Sequence, residues 1–434
     1  MDAATAGILC VFGLLLLMML GIPIVFSLGF VALAVALLTY GSSCLFKVGS
    51  TPFYVWFNLN WLPLPLFVLL GSIIAETTMG ADIFNAGRKW LSRVPGGLIA
   101  SGILGEAVMA AALGTSTACI LVVGQMADKE FIRHHYNRGF SLGALLAGGV
   151  LGPLIPPSAT MIIYSVLTQV SLGQLFIAGV IPGVILATML VITAILISWW
   201  RPKLAPPMRE GVSWGERFAS LKKVWPIIVV ILAALGSIYM GIATPTEAAG
   251  IACIVTLIIG VVVFKLRLDG LRRSLEGAAV ITGIIMFILV GASLFSYVVG
   301  SANIGKHLFN LIESASLSPW MVIIAINLLI LVLGFIIDPL TITFLSIPVL
   351  YPLITALGFD PLWFGVVFVV NTQIALITPP MALDLFTMKT FFNVPTGELI
   401  RGVAPFLIVE VIFLAMLIAL PALSTWLPSM MVAK

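Results

Sequence analysis

Long stretches that are apolar on every face alternate along this chain with short loops rich in Gly, Pro or basic residues. Runs such as FGLLLLMMLGIPIVFSLGFVALAVALL at 12–38 and GVILATMLVITAILISWW at 183–200 show no period-2 alternation, so they do not read as strands of an outer-membrane barrel. A crossing helix needs about 20 apolar residues, and the pattern predicts ten such spans. In the first half they fall at 5–20, 22–41, 63–80, 139–168 and 175–200, and in the second at 224–243, 246–264, 277–300, 361–388 and 403–426. The fold class expected is an all-α polytopic membrane protein. The opening MDAATAG lacks a basic segment and a cleavage site, and reads as the start of the first helix.

Composition sharpens the class. Of 434 residues, 61% are hydrophobic and 9% charged, which excludes a water-soluble domain. A net charge of +4 is too small to point to nucleic acid. Four scattered cysteines without a CxxC pair read as small apolar packers. The placement of basic residues is more informative, because they collect on the cytoplasmic side. The linker 201–223 carries six Lys/Arg and 265–273 carries four, and the two apolar spans between them return the chain to the same face. Arg88, Lys89 and Arg93 and then Lys129, Arg133 and Arg138 form two further basic loops, with a single apolar stretch at 97–126 between them. Interrupted at Gly114-Thr115-Ser116-Thr117, that stretch is too short to cross twice, and it is expected to enter and return as a re-entrant hairpin.

The chain also repeats itself at an offset of 223 residues. Pro156-Pro157 falls on Pro379-Pro380, and Gly179, Val180 and Pro182 fall on Gly402, Val403 and Pro405. The basic loops of the first half correspond to 311–316 and 352–361, which hold no Lys or Arg. An odd number of spans per half therefore inverts the second repeat, with both termini periplasmic. The expected organisation is a first repeat at 1–200 with its hairpin at 97–126, a basic cytoplasmic linker at 201–223, and a second repeat at 224–434 with a hairpin at 318–350 broken near Asp338. Inverted repeats with broken helices build secondary transporters whose sites lie where the repeats meet. Proline removes a donor and frees carbonyls, so each Pro-Pro inside a span is a second break. Ser158, Thr160, Thr372 and Thr378 add hydroxyls suited to a dehydrated hard cation, and Gly148, Gly149 and Gly152 permit close approach.

At GVLGPLIPPSATMIIYS, SLGQLFIAGVIPG, GIATPTEAAG, FDPLWFGVVFVVNTQIALITPPMALDLF and the GTSTA tip, the sequence resembles the large membrane subunit of tripartite ATP-independent periplasmic (TRAP) transporters across essentially its whole length. The resemblance implies no enzyme. It implies an elevator-type importer in a bacterial inner membrane, which moves a small organic anion (a carboxylate or sulfonate) with Na+ as coupling ion. Its partners would be a small membrane subunit and a periplasmic substrate-binding protein. Carried over residue by residue, one sodium site would use Gly114, Ser116, Gly152, Ile155 and Pro157. The other would use Gly334, Ala375, Thr378 and Met381. Thr115, Thr117, Ser158, Asp338, Asn371 and Asp384 are candidates for the substrate cavity. Two positions depart from the family: the first tip reads Leu113-Gly114-Thr115-Ser116 where Ser-Gly-Ser-Ser is common, and Ala382 and Asp384 replace the usual Gly and Asn. Asp384 either turns away towards Lys389 or Arg401, or marks a different ligand or coupling ion.

Other ionisable residues have plainer readings. Asp338 serves the second tip or caps a helix at the break. Glu247 after Pro245-Thr246 favours a helix start, and His134-His135 reads as a solvated pair. Trp56, Trp61, Trp199, Trp200, Trp225 and Trp426 fall near span ends as interfacial anchors. Two competing classes remain: a proton-coupled or binding-protein-independent anion transporter, and an intramembrane aspartyl enzyme built on Asp338 and Asp384, which would need the two carboxyls to share a proton. No Walker A motif is present to supply ATP drive.

Overall fold

A computed structural model describes residues 3–431 apart from 209–210, 302–308, 311, 336 and 380–381. The described chain is helical, without strands. Eight helical stretches are long and apolar enough to cross a membrane, and a ninth is formed if Leu59–Ala75 and Met79–Trp90, bent by 63°, count as one. The large apolar side chains left on the outside, among them Phe12, Phe46, Ile254 and Phe287, face lipid rather than water.

In the first half the helices are α1 (Ala3–Met19), α2 (Ile24–Tyr40), α3 (Cys44–Trp56), α4 (Pro63–Ala75), α5 (Met79–Trp90), α6 (Gly97–Leu113), α7 (Ser116–Arg133), α8 (Arg138–Gly148), α9 (Leu151–Leu154), α10 (Ala159–Thr168) and α11 (Leu172–Trp200). The linker carries α12 (Trp214–Lys222), and α13 (Trp225–Ile231) passes through a π-turn into α14 (Ser237–Tyr239). There follow α15 (Pro245–Val262), α16 (Leu268–Ser301), α17 (Pro319–Gly334), α18 (Pro339–Ala356), α19 (Pro361–Ile377), α20 (Leu383–Phe392), α21 (Thr396–Ala419) and α22 (Ala422–Ser429).

Local chemistry sets these boundaries. Proline opens α4, α15, α17, α18 and α19, where its missing N–H costs nothing. Asn137, Ser158, Ser171, Thr244, Ser318, Asp338 and Asp360 each accept a first-turn N–H as N-caps. Glu247 completes a capping box with Thr244, its carboxylate accepting the Thr244 N–H at 2.8 Å and holding the start of α15. Helix starts recur at the repeat offset: Ser116 and Pro339, and Arg138 and Pro361.

Both predicted hairpins are longer than the apolar pattern suggested. The arm α7 continues to Arg133, where polar and charged residues keep the helix going past the apolar stretch, and α18 runs on through Tyr351-Pro352-Leu353-Ile354 to Ala356. The amphipathic helices α3, α5 and α12 were hidden to a search for continuous apolar runs. His134 is not solvated but lies half-buried with its Nε2 3.4 Å from Glu130 Oε2, at the end of α7. Trp61 is packed inside, whereas Trp56, Trp199, Trp200, Trp225 and Trp426 are exposed.

At the centre, α8 and α19 are buried along almost their whole length. Against α8 runs α21, in backbone contact. A Cβ on Gly143 would strike the backbone of Gly402 and Val403, and one on Gly402 would strike the Gly139 carbonyl. Small residues allow this approach, which joins the two halves of the chain beside their breaks.

Candidate functional site

The first hairpin turns at Gly114, whose φ of +66° ends α6 in the left-handed region. Opposite it lies the break of the first broken helix. A Cβ on Gly114 would sit 2.7 Å from the Pro157 carbonyl oxygen, and a Cβ on Gly152 would sit 2.7 Å from the Thr115 carbonyl oxygen. Ile155 ends α9 in an extended conformation, and among the described residues no backbone N–H donates to the carbonyls of Ile155 or Pro157. Gly114, Ser116, Gly152, Ile155 and Pro157 are thus brought together, with free carbonyls and one hydroxyl among them.

Part of this geometry recurs in the second half. Thr378 ends α19 with φ −87° and ψ 123°, close to the −84° and 117° of Ile155 at the equivalent position. A Cβ on Gly334 would collide with Ala375, so the end of α17 rests on the last turn of α19. The Thr378 hydroxyl donates to the Ile374 carbonyl at 2.6 Å, which leaves its lone pairs outward. Met381 lies outside the described residues, as does Pro380.

Between the two tips is a cavity of about 180 Å³, lined by Gly114, Thr115, Ser116 and Thr117 from the first hairpin and by Asp338, Pro339 and Leu340 from the second. Pro153, Ala159 and Thr160 from the first broken helix and Gln373, Leu376 and Leu383 from the second close it. Four helices begin here: α7 at Ser116, α10 at Ala159, α18 at Pro339 and α20 at Leu383. Each N-terminus carries roughly half a positive charge. No Lys, Arg or His is among the lining residues. Side chains cap α10 and α18, whereas neither Thr115 nor Ala382 caps α7 or α20, so no N-cap side chain takes the first N–H groups of these two helices, the groups an anion binds at a helix start.

Of the cavity candidates, Thr115, Thr117 and Asp338 line it. Asp338 has both predicted characters at once, since its carboxylate also accepts the Thr341 N–H at 3.2 Å and the Thr341 hydroxyl. Ser158 is instead buried as the cap of α10, accepting the Met161 N–H at 3.3 Å. Asn371 does not face the cavity either. Its amide donates to the Asn327 carbonyl at 2.8 Å and to Asn327 Oδ1 at 3.0 Å, bracing α19 against α17.

Asp384 turns to neither Lys389 nor Arg401. Fully buried, it accepts the Ser116 hydroxyl at 2.5 Å and the Thr117 hydroxyl at 2.6 Å, tying α20 to the first tip across the two halves. The Lys389 ammonium lies over the Phe386 ring, and Arg401 borders a separate cleft with Phe140 and Trp200. Asp338 and Asp384 thus spend their oxygens on different hydroxyls and do not bond to each other, which is not the shared-proton geometry of an aspartyl dyad.

Gln373 is a polar lining residue absent from the sequence candidates. It is 1% exposed, with both carboxamide atoms unpartnered among the described residues. Its signal was a lone carboxamide inside the apolar run of α19, where an unpaired polar group is expensive. Glu106 shares that condition deeper in the first hairpin, its Oε2 filling the space a Cβ on Gly148 would take.

Comparison with known proteins fits this architecture. Residues 11–423 match the family described as "Tripartite ATP-independent periplasmic transporter, DctM component". The C4-dicarboxylate TRAP transporter large permease protein DctM of Pseudomonas aeruginosa is 33% identical over 85% of this chain and 86% of its own length. The sialic acid TRAP transporter large permease protein SiaM of Vibrio cholerae is 31% identical over 97% and 98%. Among solved structures, the YdaH transporter of Alcanivorax borkumensis superposes with a TM-score of 0.63 at 14% identity, covering 96% of this chain and 98% of its own, a likeness of fold. A helical multi-pass architecture and a family match over nearly the whole length identify this chain as a large permease subunit of the TRAP transporter family, a membrane transporter component and not an enzyme.

Proposed function

We propose that this subunit imports a small organic anion, a carboxylate or sulfonate, across a bacterial inner membrane by coupling its movement to Na+. The observation that carries the reading is the convergence of four helix N-termini on one cavity whose lining has no basic side chain. An anion there would be held by backbone N–H groups of α7 and α20, the arrangement by which broken helices bind anionic groups in secondary transporters. The volume of about 180 Å³ lies below the ~300 Å³ at the lower end of drug-sized sites, which favours a small acid.

Sodium suits the oxygens beside that cavity. Ser116 Oγ and the carbonyls at Gly114, Gly152, Ile155 and Pro157 form one set of hard ligands, and Thr378 with the carbonyls around Gly334 and Ala375 forms the other. Both sets join a hairpin tip to a helix break, so a bound cation would stabilise the tips in the arrangement that accepts substrate. The tips and broken helices would move together as the transport unit past the remaining helices, exposing the cavity alternately to each side. The large permeases named above serve C4-dicarboxylates and sialic acid. By the same family logic a periplasmic binding protein would deliver the substrate, and a small membrane subunit would pack on the static helices, with both termini of this chain periplasmic.

Uptake into proteoliposomes containing this chain and its small subunit tests the reading. Candidate anions are supplied with and without the binding protein, under an inward sodium gradient or a proton gradient alone. Uptake that requires both sodium and the binding protein is the expected result. Uptake driven by protons, or indifferent to the binding protein, would overturn that part of the reading.

A further inference from the structure

We propose that Asp384 is the charged member of the first cation site, a positioning residue that orients Ser116 and supplies the counter-charge that draws Na+ to the tip. The proposal rests on the sodium reading above and deepens it.

The argument starts from an unbalanced charge. Asp384 is fully buried, its oxygens are met by the hydroxyls of Ser116 and Thr117, and no Lys, Arg or His pairs with it among the described residues. Two neutral donors and the partial positive ends of α7 and α20 lie beside this carboxylate but no full positive charge does among the described residues, so the site calls for a cation close by. Hydroxyl chemistry then says where that cation sits. Each hydroxyl has one proton, and here both protons are committed to Asp384, so the lone pairs of Ser116 Oγ must point away from it. The helix break lies beside that oxygen: a Cβ on Gly149 would stand 2.9 Å from Ser116 Oγ, Gly152 rests on the Thr115 carbonyl, and Gly114 faces the Pro157 carbonyl. Asp384 thus converts Ser116 into a pure acceptor aimed into a nest of carbonyl oxygens, the oxygen-only environment that hard cations prefer.

The link also joins what must move together. The hydroxyls belong to the first half of the chain and the carboxylate to the second, so the site is complete only when the first tip is closed on α20. Ser116 and Thr117 of this contact, and Leu383 next to Asp384, line the substrate cavity. Cation binding that tightens the contact therefore shapes the cavity wall. An Asn at position 384 would offer a single acceptor and no charge, so this chain's first site should bind sodium more tightly than an Asn-bearing version of itself.

The test is a sodium titration of thermal stability on the purified full chain with its small subunit, at constant ionic strength with choline as the replacement cation. Asp384→Asn keeps the shape and removes the charge. It is expected to raise the half-saturating sodium concentration by about tenfold or more, with the protein still folded. Ser116→Ala should raise it as well. The double variant should be little worse than the poorer single, because Asp384 acts through Ser116. Should Asp384→Asn not fold, Thr117→Ala leaves the carboxylate in place and is expected to shift the same titration upward by a smaller factor. A half-saturation unchanged in Asp384→Asn, or strictly additive single variants, would overturn the proposal while leaving sodium coupling intact. A wild type that sodium does not stabilise at all would overturn both.

Discussion

Gly114→Ala tests the tip with a single methyl group. The native residue stands at φ +66°, a region that costs an L-residue about 1 to 2 kcal/mol. Its added Cβ would also lie 2.7 Å from the Pro157 carbonyl oxygen, and relieving such a clash in packed backbone typically costs about 1 to 3 kcal/mol. The φ cost stays with the turn in either position of the tip, whereas the clash of about 1 to 3 kcal/mol is set against the closed tip alone and is relieved once the tip withdraws from the break. A cation that binds only the closed arrangement sees its apparent affinity fall in proportion to the population lost. At 1.4 kcal/mol per tenfold, the half-saturating sodium concentration should rise by about fivefold or more. The assay is sodium-dependent uptake in proteoliposomes, with sodium-dependent thermal stabilisation in parallel. Gly105→Ala is the control, since its Cβ would meet Val123 at an ordinary 3.6 Å in the interior of α6 and should improve helix stability slightly. A sodium half-saturation in Gly114→Ala within twofold of wild type would refute the contact between this tip and the Pro-Pro break as a sodium-binding element.

Three further outcomes are expected. Gln373→Leu removes an unpartnered buried carboxamide and should leave thermal stability equal or higher, while the substrate half-saturation rises several-fold; a loss of stability with unchanged substrate dependence would place Gln373 in the scaffold. Asn371→Ala strips both bonds to Asn327 and should lower stability by about 1 to 3 kcal/mol, read as a fall in melting temperature, with the substrate half-saturation unchanged. Gly402→Ala drives a methyl into the Gly139 carbonyl and should prop α8 and α21 apart, seen as poor recovery of monodisperse protein, whereas Gly397→Ala, with open space around its Cβ, should behave as wild type.

Local chemistry made much of this protein readable in advance. The apolar runs marked lipid-facing helices because a crossing requires uninterrupted apolar length, a property of neighbouring residues alone. Gly114 and Asp338 announced their breaks for the same reason: a left-handed turn and an N-cap are written in one or two side chains, and each stands where the helix ends or begins. Glu247 after Pro245-Thr246 likewise marked a helix start, which the structure completes as a capping box with Thr244. Amphipathic helices such as α5 and α12 escaped because their apolar residues form a stripe rather than a run.

Partnerships at long range were decided only by the tertiary structure. Asn371 was legible as a polar residue beside a break, but its choice of Asn327 over the cavity depends on how α19 packs on α17. Asp384 and Ser116 are separated by 268 positions. Nothing in the neighbourhood of either says that a carboxylate after the second Pro-Pro will reach the tip of the first hairpin. That contact follows from folding the two halves against each other, where backbone at Gly139, Gly143 and Gly402 approaches closely enough to bring both breaks to one cavity. Buried polar groups must find partners, and the sequence determines how many need them, whereas only the assembled fold determines which ones meet.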